Sequence, residues 1–235
     1  MKKLGCLGLF LALTLSNYAN AVAVSSLFEV ANDDNLGEVK IYNNDGKDMF
    51  IRMSMSKVEY VDGKKVITPL NKDNVKDWKL TLTPPQLVLK PNQTKTVKFN
   101  YICNEDKGED CRTDEDQIYA IDMSPVPYAE GQTRAVAIAF GYRTYFLIPA
   151  RKIDISYEVS LISNKQFKFV NNSNTMLTMV FNVCTKEFSS DCIFEYRTLP
   201  GSNKIFDLPK EMFDLKNIEG TVINANEKFH ENISL

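Results

Sequence analysis

The sequence predicts an all-β protein built from two immunoglobulin-like β-sandwich domains. Short runs of alternating apolar and polar residues recur along the chain, turns rich in Asn, Asp, Gly and Pro separate them, and helical periodicity is almost absent. About seven such runs precede residue 149, a number and spacing typical of one sandwich. A second, shorter series follows Pro149 and a basic pair at residues 151–152. We therefore expect domains at residues 22–149 and 150–235.

Residues 1–21 have the features of a cleavable secretory signal peptide. Two lysines precede an apolar stretch at residues 7–15, and the Ala-Asn-Ala sequence at residues 19–21 is a small-x-small cleavage site. No later segment reaches the roughly 18 consecutive apolar residues that a membrane-spanning helix needs. We therefore expect an exported protein without stable membrane insertion.

The charge balance and the motif content exclude several functional classes. The chain has 28 lysine and arginine residues against 30 aspartate and glutamate residues. This balance argues against a nucleic-acid partner, which requires a basic surface. His230 is the single histidine and lies near no nucleophile motif, so a hydrolase triad is not expected. We predict no enzymatic activity, no cofactor and no metal.

The cysteines beyond the signal peptide fall into two local pairs. Cys103 and Cys111 are eight residues apart, as are Cys184 and Cys192. In an oxidising compartment this arrangement favours two disulfides, Cys103–Cys111 and Cys184–Cys192, each closing a small polar loop. The alternative is a metal site, but neither the spacing nor the lone histidine matches zinc patterns.

The strand predictions follow the alternation and the turn signals. In the first series the predicted strands are residues 24–30, 38–42 and 49–60, three extended segments within 80–101, residues 117–123, and 134–148. A helical turn is predicted within residues 71–79. In the second series the predicted strands are residues 153–161, 166–170, 176–184, 193–197, 204–208 and 220–224.

The stretch at residues 134–148 is the longest predicted strand and has two unequal faces. Alanines and Gly141 occupy one face, which Arg143 interrupts with a charge. Gly141 is also a candidate bulge that changes the strand direction. The large side chains of the other face are those of Val136, Ile138, Phe140 and Tyr142. Periodicity alone favours packing of this strand inside its own sandwich.

Four stretches resemble the periplasmic chaperones of pilus assembly by the chaperone–usher route. Residues 80–99 (LTLTPPQLVLKPNQTKTVKF) are similar to that family's proline-interrupted strand segment, and residues 134–152 (RAVAIAFGYRTYFLIPARK) to its long G1 strand. Residues 169–184 and 195–208 are similar to the asparagine-rich turn and the Leu-Pro-Gly segment of its second domain. The paired cysteines and the divergent first strand resemble the alternate class, which serves common pili and colonisation fimbriae.

The resemblance implies a fold, a partner and a mechanism. The two domains are expected to form an L-shaped (boomerang) molecule in the periplasm that binds pilus or fimbrial subunits and delivers them to an outer-membrane usher. The G1 strand would complete the subunit's sheet by donor-strand complementation. The residues that would fill the subunit groove are Val136, Ile138, Phe140 and, less centrally, Tyr142. The sequence alone leaves a second function open, that of a secreted two-domain fimbrial subunit or adhesin.

The family also holds the subunit's C-terminal carboxylate with two basic residues in the cleft between domains. Arg143 matches the one late in the G1 strand, since a guanidinium binds a carboxylate through two parallel hydrogen bonds. The other is expected near the first strand, but residues 22–39 contain no lysine or arginine. We name Arg52 as the second anchor. The alternatives are Arg134, Arg151 and Lys152.

Overall fold

The computed structural model describes residues 22–102, 114–127, 141–184, 192–213, 215 and 217–235, and these form an all-β fold as predicted. The predicted groove-filling residues Val136, Ile138 and Phe140, together with Arg134 and the Cys103–Cys111 pair, lie outside the described residues. Within the described part of the chain, no helix is long and apolar enough to cross a membrane.

Ten strands of the described residues form the first sandwich, within residues 22–148. They are β1 (Val22–Val24), β2 (Phe28–Val30), β3 (Leu36–Asn43), β4 (Met49–Val61), β5 (Lys64–Leu70), β6 (Leu80–Thr83), β7 (Gln86–Leu89), β8 (Thr94–Tyr101), β9 (Gln117–Pro127) and β10 (Tyr142–Ile148). One sheet has the order β1-β3-β8-β6, and the other has the order β2-β10-β9-β4-β5, with β7 also paired to β4. A 3-10 segment at Lys72–Asp77 supplies the predicted helical turn.

The first predicted strand, residues 24–30, is wrong as a single element. The chain leaves one sheet after β1 and joins the other at β2, which runs parallel to β10. Ser26 explains the break, because its side-chain hydroxyl bonds both the backbone carbonyl and the backbone N–H of Phe28. This local pairing competes with a continuous strand ladder. The N-terminal segment consequently contributes an edge to both sheets.

The core of the first sandwich lies between its two sheets. The rings of Phe99 and Phe146 meet there with centroids 5.3 Å apart, and both side chains are fully buried. Gly37 lies against the same ring, and a Cβ atom at this position would lie 2.5 Å from Cε2 of Phe146. The glycine therefore allows the backbone of β3 to approach the ring closely.

In the described part of the chain after residue 150, seven strands form the second sandwich. They are β11 (Tyr157–Ser163), β12 (Gln166–Asn171), β13 (Leu177–Asn182), β14 (Ile193–Thr198), β15 (Asn203–Asp207), β16 (Glu219–Asn224) and β17 (His230–Ser234). The sheet β11-β12-β15 packs on the sheet β14-β13-β16-β17 around an aromatic core that includes Phe167, Phe169 and Phe181. The predicted disulfide Cys184–Cys192 is confirmed, and it joins the end of β13 to the start of β14.

Two strands, β5 and β17, were not predicted. Both lie at sheet edges, where exposure to solvent removes the apolar alternation on which the prediction depends. β5 follows a tight turn in which Asp62 and Gly63 both have positive φ, of 51° and 71°. An Asp-Gly pair between two extended runs is a strong hairpin signal. The strand that this turn implies, β5, was nevertheless not predicted.

Candidate functional site

The two sandwiches meet on the outer face of the sheet that contains β4, β9 and β10. An apolar cluster forms this contact, in which buried Val58, Ile118 and Leu147 of the first sandwich pack with Met176 of the second. Phe28 and Tyr145 extend the cluster towards the open end of the same face as half-buried side chains. The outer face of this sheet is therefore apolar beside the hinge and polar farther from it. The cleft between the two sandwiches lies over the polar part.

Asp116 joins three segments at the hinge. Its buried carboxylate accepts hydrogen bonds from the backbone N–H of Ala150 at 2.8 Å and of Met176 at 2.7 Å, and from the hydroxyl of Thr175 at 3.0 Å. Burial raises the pKa of Asp116 above its ordinary value of 3.8, and these hydrogen bonds oppose that shift. One carboxylate thus holds the first sandwich, the linker and the second sandwich together.

Asn174 makes the reciprocal contacts from the second sandwich. Its backbone carbonyl accepts from the N–H of Asp116 at 2.9 Å. Its side-chain amide donates to the carbonyls of Asp114 and Lys152, and its side-chain oxygen accepts from the N–H of Asp154. Together with the buried hydrogen bonds of Asp116, this network favours one orientation of the two sandwiches.

Arg143, the predicted carboxylate anchor, projects from β10 onto the polar part of the cleft face. Its Nε and Nη2 atoms donate to the two carboxylate oxygens of Asp122 on β9, at 2.6 and 2.8 Å. The two residues are directly opposite in the β9–β10 register, and their side chains are 39% and 30% exposed. The hydrogen bonds to Asp122 raise the pKa of Arg143. A carboxylate of the chain itself therefore already binds this guanidinium.

Arg52, the other predicted anchor, is exposed on β4. It pairs with Ser124 on β9, two residues beyond Asp122, so it projects from the same face as Arg143 but one pairing row farther from the hinge. Tyr142, the predicted fourth groove-filling residue, is half-buried and has the parity of Phe146, which faces the core.

Lys65 is a cleft residue that the sequence prediction missed. Its Nζ atom donates a hydrogen bond of 2.9 Å to the hydroxyl of Tyr145 and lies 5.0 Å from the centre of the ring. Ala120 and Ser56, which are small and buried, occupy the pairing row of Tyr145 on β9 and β4. Their size leaves room for the two longer side chains above them. The signal that could have found Lys65 is the Asp62-Gly63 hairpin turn, since a return strand places Lys65 opposite Tyr60.

The charge around Tyr145 lowers its pKa. Burial by itself raises the pKa, but the hydrogen bonds and positive charges of Lys65 and then Arg143 outweigh burial, and the pKa falls below its ordinary value of 10.0. The phenol therefore lies in a positive environment created by two different strands, β5 and β10.

Two cation–π contacts cross between the sandwiches. The guanidinium of Arg197 lies 5.5 Å from the ring centre of Phe28, and Nζ of Lys204 lies 5.7 Å from that of Tyr60. Both cations come from the second sandwich and both rings from the first. Such contacts contribute about 0.5–1 kcal/mol each at exposed sites. Together with the hydrogen bonds of Asp116 and Asn174, they hold the second sandwich in position beside the cleft.

A family model identifies the class of protein that this fold represents. The chain belongs to the family described as CS5 fimbrial protein N-terminal domain, whose model matches residues 24–149. This match runs from the last residue of β1 to the hinge, so it covers all of the first sandwich except the first two residues of β1. A search of the curated proteins finds no match.

Several solved structures with a similar fold are chaperones. The class 5 fimbriae chaperone CfaA has 13% identity and a TM-score of 0.52, over 91% of this chain and 97% of that chain. The Salmonella enterica complex of SafA pilin with the SafB chaperone contains a chain with 13% identity and a TM-score of 0.54, over 94% and 99%. The E. coli chaperone DraB has 12% identity and a TM-score of 0.53, over 92% and 96%. At these identities the likeness shows a shared two-domain β-sandwich fold.

Proposed function

We propose that this chain is a non-enzymatic periplasmic chaperone that binds fimbrial subunits and delivers them to an outer-membrane usher. The subunit would lie in the cleft between the two sandwiches, and the stretch before β10 would complete the subunit's sheet. Membership of a fimbrial family and the shared fold with pilus chaperones support this role.

The observation that carries the proposal is the unequal pairing of the two edges of β10. On one side β10 pairs with β9 along its full length, from Tyr142 to Ile148. On the other side β2 pairs only with Tyr145–Leu147, so within the described strands Tyr142–Thr144 have no strand partner there. A free strand edge can pair with another chain through backbone hydrogen bonds. The predicted donor residues directly precede this free edge in the sequence.

The donor residues have the chemistry that an incomplete subunit sandwich requires. Val136, Ile138 and Phe140 alternate along the chain, so a strand over them would present three large apolar side chains to one groove. Full burial of three such side chains would contribute roughly 5–9 kcal/mol before the cost of ordering the strand. This magnitude is enough to hold a subunit and small enough to release it.

The cleft also offers cations for the C-terminal carboxylate of a subunit. Arg143 is partly exposed on the cleft face, and Arg52 lies on the same face farther from the hinge. A guanidinium can bind a carboxylate through paired, charge-assisted hydrogen bonds. We propose Arg143 as the main anchor, with Arg52 as a candidate second anchor.

The second candidate function is a fimbrial subunit or adhesin, which the description of the family itself favours. A subunit that polymerises by donor-strand exchange would have an incomplete sandwich. Here the first sandwich contains β10 and the second contains β17, so the final strand of each is in place. Size-exclusion chromatography separates the two functions, because a chaperone should stay monomeric or weakly self-associated whereas a subunit should form polymers or aggregates.

Co-expression of residues 22–235 with the fimbrial subunit encoded beside it tests the proposed function. We expect the subunit to become soluble only in the presence of this chain and to co-purify with it in equal amounts. A subunit that is equally soluble without the chain, and that does not co-purify with it, would contradict a chaperone role. Removing the subunit's last residues then tests the carboxylate anchor separately.

A further inference from the structure

The hydroxyl of Tyr145 can donate a hydrogen bond to a ligand in the cleft. A phenol hydroxyl has one proton to donate and lone pairs that accept. Lys65 donates to its oxygen at 2.9 Å, and Arg143 lies two residues along β10 on the same face. Within the described chain, no residue accepts the proton of Tyr145. The hydroxyl of Tyr145 is therefore available to donate to an acceptor on a bound ligand.

The group formed by Arg143, Lys65, Tyr145 and Asp122 has one more positive charge than negative charges. Arg143 and Lys65 carry one positive charge each, and Asp122 neutralises only one of them through its two hydrogen bonds to the guanidinium. Lys65 contacts the neutral hydroxyl of Tyr145 in place of a carboxylate. The part of the site made by Lys65 and Tyr145 thus combines a cation with a free hydroxyl proton, and a carboxylate satisfies both.

We propose that Lys65 is the second cation of the carboxylate site and that Asp122 is an internal competitor that limits its affinity. This inference rests on the proposed function and adds two residues to it. The incoming C-terminal carboxylate binds Lys65 and Tyr145, and it shares Arg143 with Asp122. Because Asp122 already holds the two donor groups that the ligand would take, part of the attraction of Arg143 for the ligand is cancelled. The site consequently holds a subunit more weakly than a site with an unpaired arginine.

The position of Lys65 supports this assignment over Arg52. The ammonium of Lys65 donates directly to the hydroxyl of Tyr145, which is itself two residues along β10 from Arg143 on the same face. Arg52 lies in the pairing row beyond Asp122, on the side away from the hinge. A carboxylate at the Tyr145 hydroxyl is therefore placed to contact both Lys65 and Arg143.

A competition experiment tests the inference. It uses a limited amount of the subunit that co-purifies with the wild-type chain. Tagged wild-type protein is mixed with each variant, denatured subunit is diluted into the mixture, and the ratio of the complexes gives the relative affinity. Losing one charge-assisted hydrogen bond in Lys65→Met should weaken capture by about 10-fold or more. Lys64→Met is the matched control, since Lys64 is exposed on the opposite face of β5, and it should compete like wild type.

Asp122→Asn decides the competitor role. Removing its charge should strengthen capture several-fold if Asp122 competes with the ligand. Weakened or unchanged capture would instead mean that Asp122 only positions Arg143, and it would overturn this part of the inference. Unchanged capture by Lys65→Met, or a larger loss in Arg52→Met, would overturn the assignment of Lys65.

All comparisons are repeated with a subunit lacking its last residues, for which the effects of Lys65→Met and Asp122→Asn should disappear. If wild-type protein captures no subunit at all, the proposed function fails instead.

Discussion

The carboxylate of Asp116 accepts a 2.7 Å hydrogen bond from the backbone N–H of Met176. This bond joins the residue before β9 of the first sandwich to the residue before β13 of the second. Asn has one acceptor oxygen and an NH₂ group that can only donate, so Asp116→Asn leaves at least one buried N–H or hydroxyl facing another donor. We expect a loss of about 1–3 kcal/mol in the free energy of unfolding, measured by urea denaturation.

The matched control for this prediction is Asp114→Asn. Asp114 contributes its backbone carbonyl to the hinge, and its residue is exposed, so removing its charge should change the unfolding free energy little. Equal urea midpoints for the two variants would show that the carboxylate of Asp116 does not hold the sandwiches together.

Gly37 should tolerate no side chain, since its Cβ would lie 2.5 Å from the fully buried ring of Phe146. We expect Gly37→Ala to lower the free energy of unfolding by about 1–3 kcal/mol because the core must move to make room. Gly46→Ala is the control, as a Cβ there meets no atom within 4 Å. Thermal denaturation compares the two, and an equal melting temperature would contradict the close packing of β3 on Phe146.

Tyr145 should ionise at a lower pH than an ordinary tyrosine, because Lys65 and Arg143 outweigh the effect of burial on its pKa. Since the folded-state pKa lies below the unfolded value, this ionisation stabilises the folded chain above pH 10. That contribution is lost as the pH falls through the folded-state pKa. The absorbance of phenolate during alkaline titration measures the effect. Tyr145→Phe should remove an early-titrating component, and Lys65→Met should move it to higher pH.

The absence of any early component in the wild-type titration would contradict the contact between Lys65 and Tyr145. Tyr119 and Tyr157 do not contribute to the early component of the titration. The pKa of each is raised, chiefly by burial, so both ionise later than an ordinary tyrosine.

The Cys184–Cys192 bridge should stabilise the second sandwich by restricting its unfolded state. For a loop of this length, loop entropy predicts that replacing both cysteines with serine costs about 2–3 kcal/mol. The unfolding of the second sandwich, followed by urea denaturation of the purified chain, measures this loss. An unchanged midpoint would mean that strain or residual structure offsets the entropy.

The sequence predicted the fold where local patterns determine it. The Cys184–Cys192 spacing and the strands β11 to β16 of the second sandwich are local features, and both were found. By contrast, the edge strand β5 was missed because its residues are almost entirely exposed, which removes the alternation that marks a strand. The break after β1 was missed because it depends on the hydroxyl of Ser26 and on which sheet each half joins.

The candidate site was only partly predictable for a different reason. Arg143 was named from the resemblance of residues 134–152 to the G1 strand of the chaperone family. Its partner Asp122 depends on the register between β9 and β10, and the contact of Lys65 with Tyr145 depends on the twist of a sheet across several strands. Neither register nor twist can be read from the spacing of residues along the chain.

Replacement of Ile138 tests the donor-strand proposal most directly. A charge at the centre of the donated face should prevent its burial in the subunit groove, so Ile138→Asp should weaken subunit capture by roughly 10-fold or more in the competition assay. Ala137→Asp places the same charge on the predicted opposite face and is the matched control. Donor-strand complementation predicts near-normal capture by Ala137→Asp and a large loss for Ile138→Asp, with equal melting temperatures for the two. Equal capture by both variants would contradict it.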